Sequence, residues 1–248
     1  MKIQQLLRDN ASRVKHPINM VRNSADEATL YIYDVIDSYW GVGAKSVIEA
    51  LTAVADVPTL HLRINSPGGD VFEGRAIIEA IKRFAGKTIA HVDSLAASAA
   101  TSIAIACDEV EIAQGAFFMI HNASGMVWGD KQAMRDTADL LEKVEGSIVH
   151  DYTAKTGKES ADIANWMDAE TWFTADEAVA NGFCDRLAAT AEPKAKNTWN
   201  LAAYAKAPQS LLAPAPEPEM PPAAPAAVPK PSGTAQTNTN ALRLAMIV

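Results

Sequence analysis

The chain has 248 residues and a mass of 26.5 kDa, with 48% hydrophobic and 21% charged residues, enough for a sizeable soluble core. A formal charge of -8 and a pI near 5.1 argue against a protein that binds phosphate backbones. The average hides an asymmetry: nine of the 13 prolines fall between Pro208 and Pro231, and residues 190–248 carry five basic and three acidic groups, leaving -10 on residues 1–189.

Residues 1–27 are polar and mixed, and read as an N-terminal arm without a signal-peptide stretch. Thr29–Tyr33 is β-branched and aromatic, a strand. Val47, Ile48, Leu51 and Val54 share one face of a helix over 44–55. Leu60, Leu62 and Ile64 alternate with polar residues, as in a strand, and the turn Asn65-Ser-Pro-Gly-Gly69 follows directly. A helix over 72–84 turns Ile77, Ile78 and Ile81 inward, and a strand over 87–92 comes next. Ser98–Ala106 reads as a buried helix, followed by short strands near 110–112 and 117–120.

The longest helical pattern runs over 131–153, with Met134, Leu141, Val144, Ile148 and Tyr152 at helical spacing. A short helix over 161–166 precedes Thr174-Ala-Asp-Glu177, a capping-box start whose helix stops at Asn181-Gly182. Strand–helix alternation predicts an α/β fold with right-handed crossovers. After Ala189 the periodicity dissolves, so residues 190–248 are expected to be a Pro/Ala-rich, largely disordered tail. The longest uncharged run in the apolar part, Ser94–Cys107, has 14 residues, short of the ~20 a bilayer span needs. Cys107 and Cys184 make no disulfide framework, and the expectation is a soluble, cytoplasmic protein with buried thiols.

Four features carry possible chemistry. Gly68-Gly69 sits between a strand and a helix, where outward amides bind anions; a plain type II turn accounts for it equally. Ser98 follows a strand and opens a helix among tiny neighbours, as an exposed nucleophile or an N-cap. His121 ends a strand, as a base or an ordinary strand-end residue. Asp168 and Glu170 flank a turn, where one carboxylate can orient an imidazole or merely meet solvent. There is no dinucleotide fingerprint, P-loop or paired-histidine spacing, so neither cofactor nor metal is expected.

The order of these features is more specific than any one of them. Strand–SPGGD–helix, strand–AAS–helix, strand–MIHN, long helix and MDAETWFTADEAVANGF resemble the Clp protease proteolytic-subunit (ClpP) family of serine peptidases over about residues 29–187. IYDVIDSYWGVGAKSVIEAL, INSPGGDVFEGRAI and ETWFTADEAVANGF look most like its phage and prophage head-maturation branch.

The resemblance implies a ClpP/crotonase-like repeated β-β-α superhelix over 28–189 with a long protruding helix. It implies Ser98 as nucleophile, His121 as general base and Glu170 as acid, with Asp168 as the alternate, because glutamate stands where the family usually has aspartate. Gly69 and Ala99 would supply the oxyanion hole; Gly68, Asp70 and Val71 would bind an extended substrate. It further implies ring-shaped homo-oligomers and polypeptide substrates, on the phage reading scaffold and capsid proteins in the host cytoplasm or inside an immature head. No nucleic acid, membrane or ATP-driven partner is carried over. The competing readings are a crotonase-type acyl-CoA enzyme, whose fold is similar, and a non-catalytic capsid scaffold or adaptor that keeps the fold.

Overall fold

The computed structural model describes residues 5, 6, 10, 18–189 and 199–212. All of these lie in the first of two units, 1–213; the second, 214–248, falls outside the described residues, with the expectations placed on it. The elements are β1 Asn19–Arg22, β2 Glu27–Ile32, α1 Ala44–Thr52, β3 Thr59–Ser66, α2 Val71–Lys82, β4 Lys87–Ala97 and α3 Ala99–Ala104. They continue with β5 Glu109–Ile112, β6 Phe117–Ile120, α4 Lys131–Thr156, α5 Ser160–Asp168, β7 Thr171–Thr174, α6 Ala175–Ala180 and β8 Arg186–Leu187.

The strands form one sheet in the order β1-β2-β3-β4-β5-β8, with β6 branching from β4 and β7 paired to β6. The β2–β3, β3–β4, β4–β5, β4–β6 and β5–β8 pairs are parallel. Parallel neighbours need crossovers, and α1, α2 and α3 supply them, burying Val47, Leu51, Ile77, Ile78, Ile81 and Ile103. These pack with Leu30, Ile32, Leu62, Ile64 and Val92 of the sheet in one core cluster. This is the α/β architecture the alternating pattern predicts.

β4 is the element that positions the site. Expected to end at Val92, it runs on to Ala97, because it changes partners: residues 89–92 pair with β5 and residues 95–97 with β6. Leu95, Ala96 and Ala97 are fully buried, and the two alanines are small enough to let the strand pass through the core. The capping box forms as read, with Thr174 accepting from the Glu177 amide while the Glu177 carboxylate accepts from the Thr174 amide. α4 reaches Thr156 and stops at Gly157, whose φ of 68° is the left-handed cap that glycine allows. Of α4, only Ile148 and Tyr152 are buried, while Met134 and Leu140 face solvent, so the helix protrudes beyond the core.

Two expected boundaries move. The N-terminal arm is not separate, since β1 pairs antiparallel with β2 and Leu6 is fully buried. The loss of periodicity at Ala189 is not the end of packing either. Trp199, Leu201, Tyr204 and Leu211 are buried with Leu6, Val35, Leu95, Ala97 and Met119 in a second core cluster. This segment has one short 3-10 turn, Gln209–Leu211, so it packs by individual side chains and offers no period to read.

Candidate active site

The sheet register brings Ser98 and His121 together. Leu95, Ala96 and Ala97 of β4 lie parallel to Phe117, Phe118 and Met119 of β6, and the Ser98 amide donates to the Met119 carbonyl at 2.9 Å. Continuing that register sets residue 98 opposite Ile120, one residue short of His121, and the turn of the backbone at Ser98 brings its hydroxyl to the histidine. His121 Nε2 is 2.8 Å from Ser98 Oγ, the reach a base needs to take a hydroxyl proton.

Ser98 sits at φ 55°, ψ -126°, where a residue with a Cβ rarely rests. Such a conformation costs about 1–3 kcal/mol and persists only where its surroundings enforce it. A buried relay supplies that enforcement. Thr101 donates its one hydroxyl proton to the Ser98 carbonyl at 2.5 Å, so the Tyr152 hydroxyl, 2.5 Å from Thr101 Oγ1, must be the donor to Thr101. The Ser98 side chain makes no capping bond to α3, which removes the N-cap account, and its hydroxyl faces His121 and the Tyr204 phenol instead.

The Gly68-Gly69 turn is built to face the same point. Ile36 and Gly69 form a parallel bridge in which Ile36 donates to the Gly68 carbonyl at 2.9 Å and accepts from the Asp70 amide at 2.7 Å. In a parallel bridge the middle residue's own amide points the other way. Among the described residues nothing accepts from the amides of Gly69 or Ala99. Glycine is required in this turn: a Cβ on Gly69 would lie 2.1 Å from the Ile36 carbonyl oxygen, and one on Gly68 would lie 2.7 Å from Ser98 Cβ.

The expected substrate residues Gly68, Asp70 and Val71 lie in and just after this turn. Gly68 and Asp70 are spent on Ile36, and the Asp70 carboxylate caps α2 by accepting from the amides of Phe72 and Glu73 at 2.8 and 2.9 Å. Of the three, Val71 alone lines the cavity beside Ser98. That cavity is small, about 20 Å³, and Arg75 and Ser102 join Gly74, Ile78, Ile148 and Tyr152 in its walls.

The carboxylates stand further off. β6 and β7 pair antiparallel up to Ile120 opposite Thr171, and Glu170 and His121 lie just beyond that last pair. Asp168 lies outside that register and accepts from Asn122 Nδ2 at 2.6 Å. Burial pushes the His121 imidazole down to about 4, and the negative charge of Glu170 works against that shift. No carboxylate among the described residues hydrogen-bonds to His121. Glu170 instead accepts from the amides of Ala205 (3.0 Å) and Lys206 (2.7 Å) and from the Trp172 indole (3.3 Å). Like Ser98, Glu170 is a non-glycine residue at positive φ, 49°. These two are the only such residues among those described.

Sequence reasoning missed one residue here. The Tyr204 ring meets the His121 ring edge to face at 5.5 Å, and its hydroxyl donates to the Pro67 carbonyl at 2.5 Å. The available signal was slight: Trp199 and Tyr204 are the only aromatic residues after Ala189.

A largely parallel α/β sheet thus places a strained serine within hydrogen-bond reach of a histidine at a strand–helix junction, the arrangement a serine hydrolase requires. The sequence profile of the Clp protease family matches residues 12–191, and the chain belongs to that family of peptidases. It is 29% identical over 185 residues to an ATP-dependent Clp protease proteolytic subunit 1 from Protochlamydia amoebophila, covering 71% of this chain and 85% of that one. A proteolytic subunit 3 from Rhodococcus jostii is 28% identical over 164 residues, covering 65% and 81%. Among solved structures, an N165D mutant of ClpP1 from Listeria monocytogenes superposes with a TM-score of 0.59 at 22% identity. It covers 65% of this chain and 91% of that one, a likeness of fold. No helix among the described residues is long and apolar enough to cross a membrane.

Proposed function

We propose that the chain is a serine endopeptidase in which Ser98 attacks the peptide carbonyl and His121 takes its proton. The observation that carries this reading is the 2.8 Å contact between Ser98 Oγ and His121 Nε2, held at a strained serine beside two unclaimed amides. A neutral hydroxyl is a weak nucleophile, so a base in hydrogen-bond reach is the first requirement. The low proton affinity of His121 keeps the imidazole neutral and ready to accept. As the tetrahedral intermediate forms, its oxyanion takes the amides of Gly69 and Ala99. His121 then returns its proton to the leaving amine, and water repeats the cycle on the acyl-enzyme.

Glu170 is the acid on this reading, acting on the imidazolium through its charge. The charge of Glu170, not that of Asp168, acts on His121, and this favours Glu170 as the acid. An extended substrate adds as a strand along the outward edge of Gly69 and Val71, in front of Ser98. Such backbone pairing reads an extended shape more than a sequence.

The wider role is also proposed: a ring-forming, head-maturation type of protease, cleaving scaffold and capsid polypeptides without an ATP-driven partner. Support comes from the resemblance of the sequence motifs to the phage and prophage head-maturation branch and from the protruding α4, a suitable handle between rings. Mass-mapped incubation of the protein and its Ser98→Ala variant with their own chains and with casein tests this. Cleavage by the first and none by the second is expected. Equal fragments from both would remove Ser98 from the mechanism, and sedimentation as a strict monomer would remove the ring.

A further inference from the structure

We propose that Tyr204 is a positioning residue of the peptidase site, and that residues 199–212 belong to the catalytic machinery as its third wall. The proposal rests on the serine-peptidase reading above. Three of the site's parts converge on this short segment. The base is touched by the Tyr204 ring, edge to face at 5.5 Å, and Trp172 backs that ring at 5.6 Å. The loop carrying Gly68-Gly69 is tied by the Tyr204 hydroxyl, which donates to the carbonyl of Pro67, the residue just before the pair. The acid is gripped by the next two amides, Ala205 and Lys206, while Lys206 Nζ donates to the Ala169 carbonyl at 2.5 Å.

Tyr204 suits this task. It is buried, and burial holds its phenol well above the usual range, so it stays a neutral donor at working pH. Trp199 anchors the start of the segment by donating its indole N–H to Asn65 Oδ1 at 3.1 Å, at the end of the strand that leads into the glycine turn. The imidazole has no carboxylate to fix its ring among the described residues, so the Tyr204 edge does so by packing. The groups facing His121 are then Ser98 from the β4–α3 junction, Glu170 from the start of β7 and Tyr204 from this segment.

The test uses the full chain with Tyr204→Phe and Tyr204→Ala, read by peptide hydrolysis, fluorophosphonate labelling of Ser98 and the pH profile of both. Tyr204→Phe keeps the ring and loses the hydroxyl's tie to Pro67 and its contact with Ser98; kcat is expected to fall about tenfold with KM within twofold. Tyr204→Ala also uncovers the imidazole; kcat is expected to fall at least a hundredfold, and the acid limb to move up toward the ordinary imidazole value. A global loss of fold would lower kcat without moving that limb, and if Tyr204→Ala does not fold, the Phe variant decides. Wild-type kcat and limb in both variants would overturn the proposal. A rise in either rate would also overturn it, making the segment a block on the site. Wild-type protein silent in both assays would instead overturn the parent reading, and this one with it.

Discussion

Replacing Gly69 by alanine probes the oxyanion side of the site. The added Cβ would lie 2.1 Å from the Ile36 carbonyl oxygen and 2.8 Å from the Ile36 nitrogen, at a φ of 154° that a side chain rarely adopts. The obstacle is backbone, so no rotamer relieves it. Restoring ordinary contact requires a retreat of roughly 1 Å, and a misplacement of that size costs about 10²-fold in rate. Losing an oxyanion donor outright costs about 10²–10³ in kcat, or ~3–4 kcal/mol. Gly69→Ala is therefore expected to lower kcat on a fluorogenic peptide by about 10²–10³. It also strains the ties between Ile36, Gly68 and Asp70, so melting by circular dichroism is expected to drop modestly. Gly146→Ala is the matched control: it lies inside α4 with nothing within 4 Å of the new Cβ, and helix propensity gives ~0.5–1 kcal/mol of added stability at unchanged kcat. A folded Gly69→Ala variant with kcat within threefold of wild type would refute the assignment of that amide.

Other predictions follow from the same geometry. The acid limb of kcat/KM is expected near 4, below the usual imidazole value, because His121 must be neutral to accept the serine proton; a limb near 6.5 would contradict its burial. Stability has the same sign: the unfolded chain binds that proton more readily, so unfolding free energy falls as pH drops from about 6.5 toward 4, and a His121→Gln variant should lose this slope in urea titrations. Glu170→Gln removes the charge that raises His121, so the limb should move lower while kcat falls; an unchanged profile would return the acid role to Asp168 or to neither. Tyr152→Phe leaves Thr101 Oγ1 without its donor, which should cost about 1 kcal/mol of stability and lower the rate of Ser98 labelling, measured by thermal melts and fluorophosphonate kinetics.

Much of this fold follows from period alone. The alternation of Leu60, Leu62 and Ile64 and the inward row Ile77, Ile78 and Ile81 each bury one face, and that face decides strand or helix. The capping box at Thr174 was legible because its two hydrogen bonds are local. Ser98 and His121 were readable as strand-end residues in a family order, but their contact depends on the β4–β6 register, which no local pattern encodes. The extension of β4 past Val92 was hidden because Leu95-Ala-Ala97 is as apolar as a buried helix. Asp70 reads as part of an extended substrate edge; that its carboxylate caps α2 and its amide serves Ile36 was not legible from the sequence. Tyr204 was least legible of all. It lies in an aperiodic, alanine-rich stretch, and its partners Pro67 and His121 are remote in sequence.

The central claim is that Ser98 is a nucleophile activated by His121. Its most direct test is tandem mass spectrometry of the native protein after a fluorophosphonate probe. The account predicts a single adduct on Ser98, absent in Ser98→Ala and strongly slowed in His121→Gln at neutral pH. An adduct on another serine, or an equal rate of Ser98 labelling without the histidine, would contradict it.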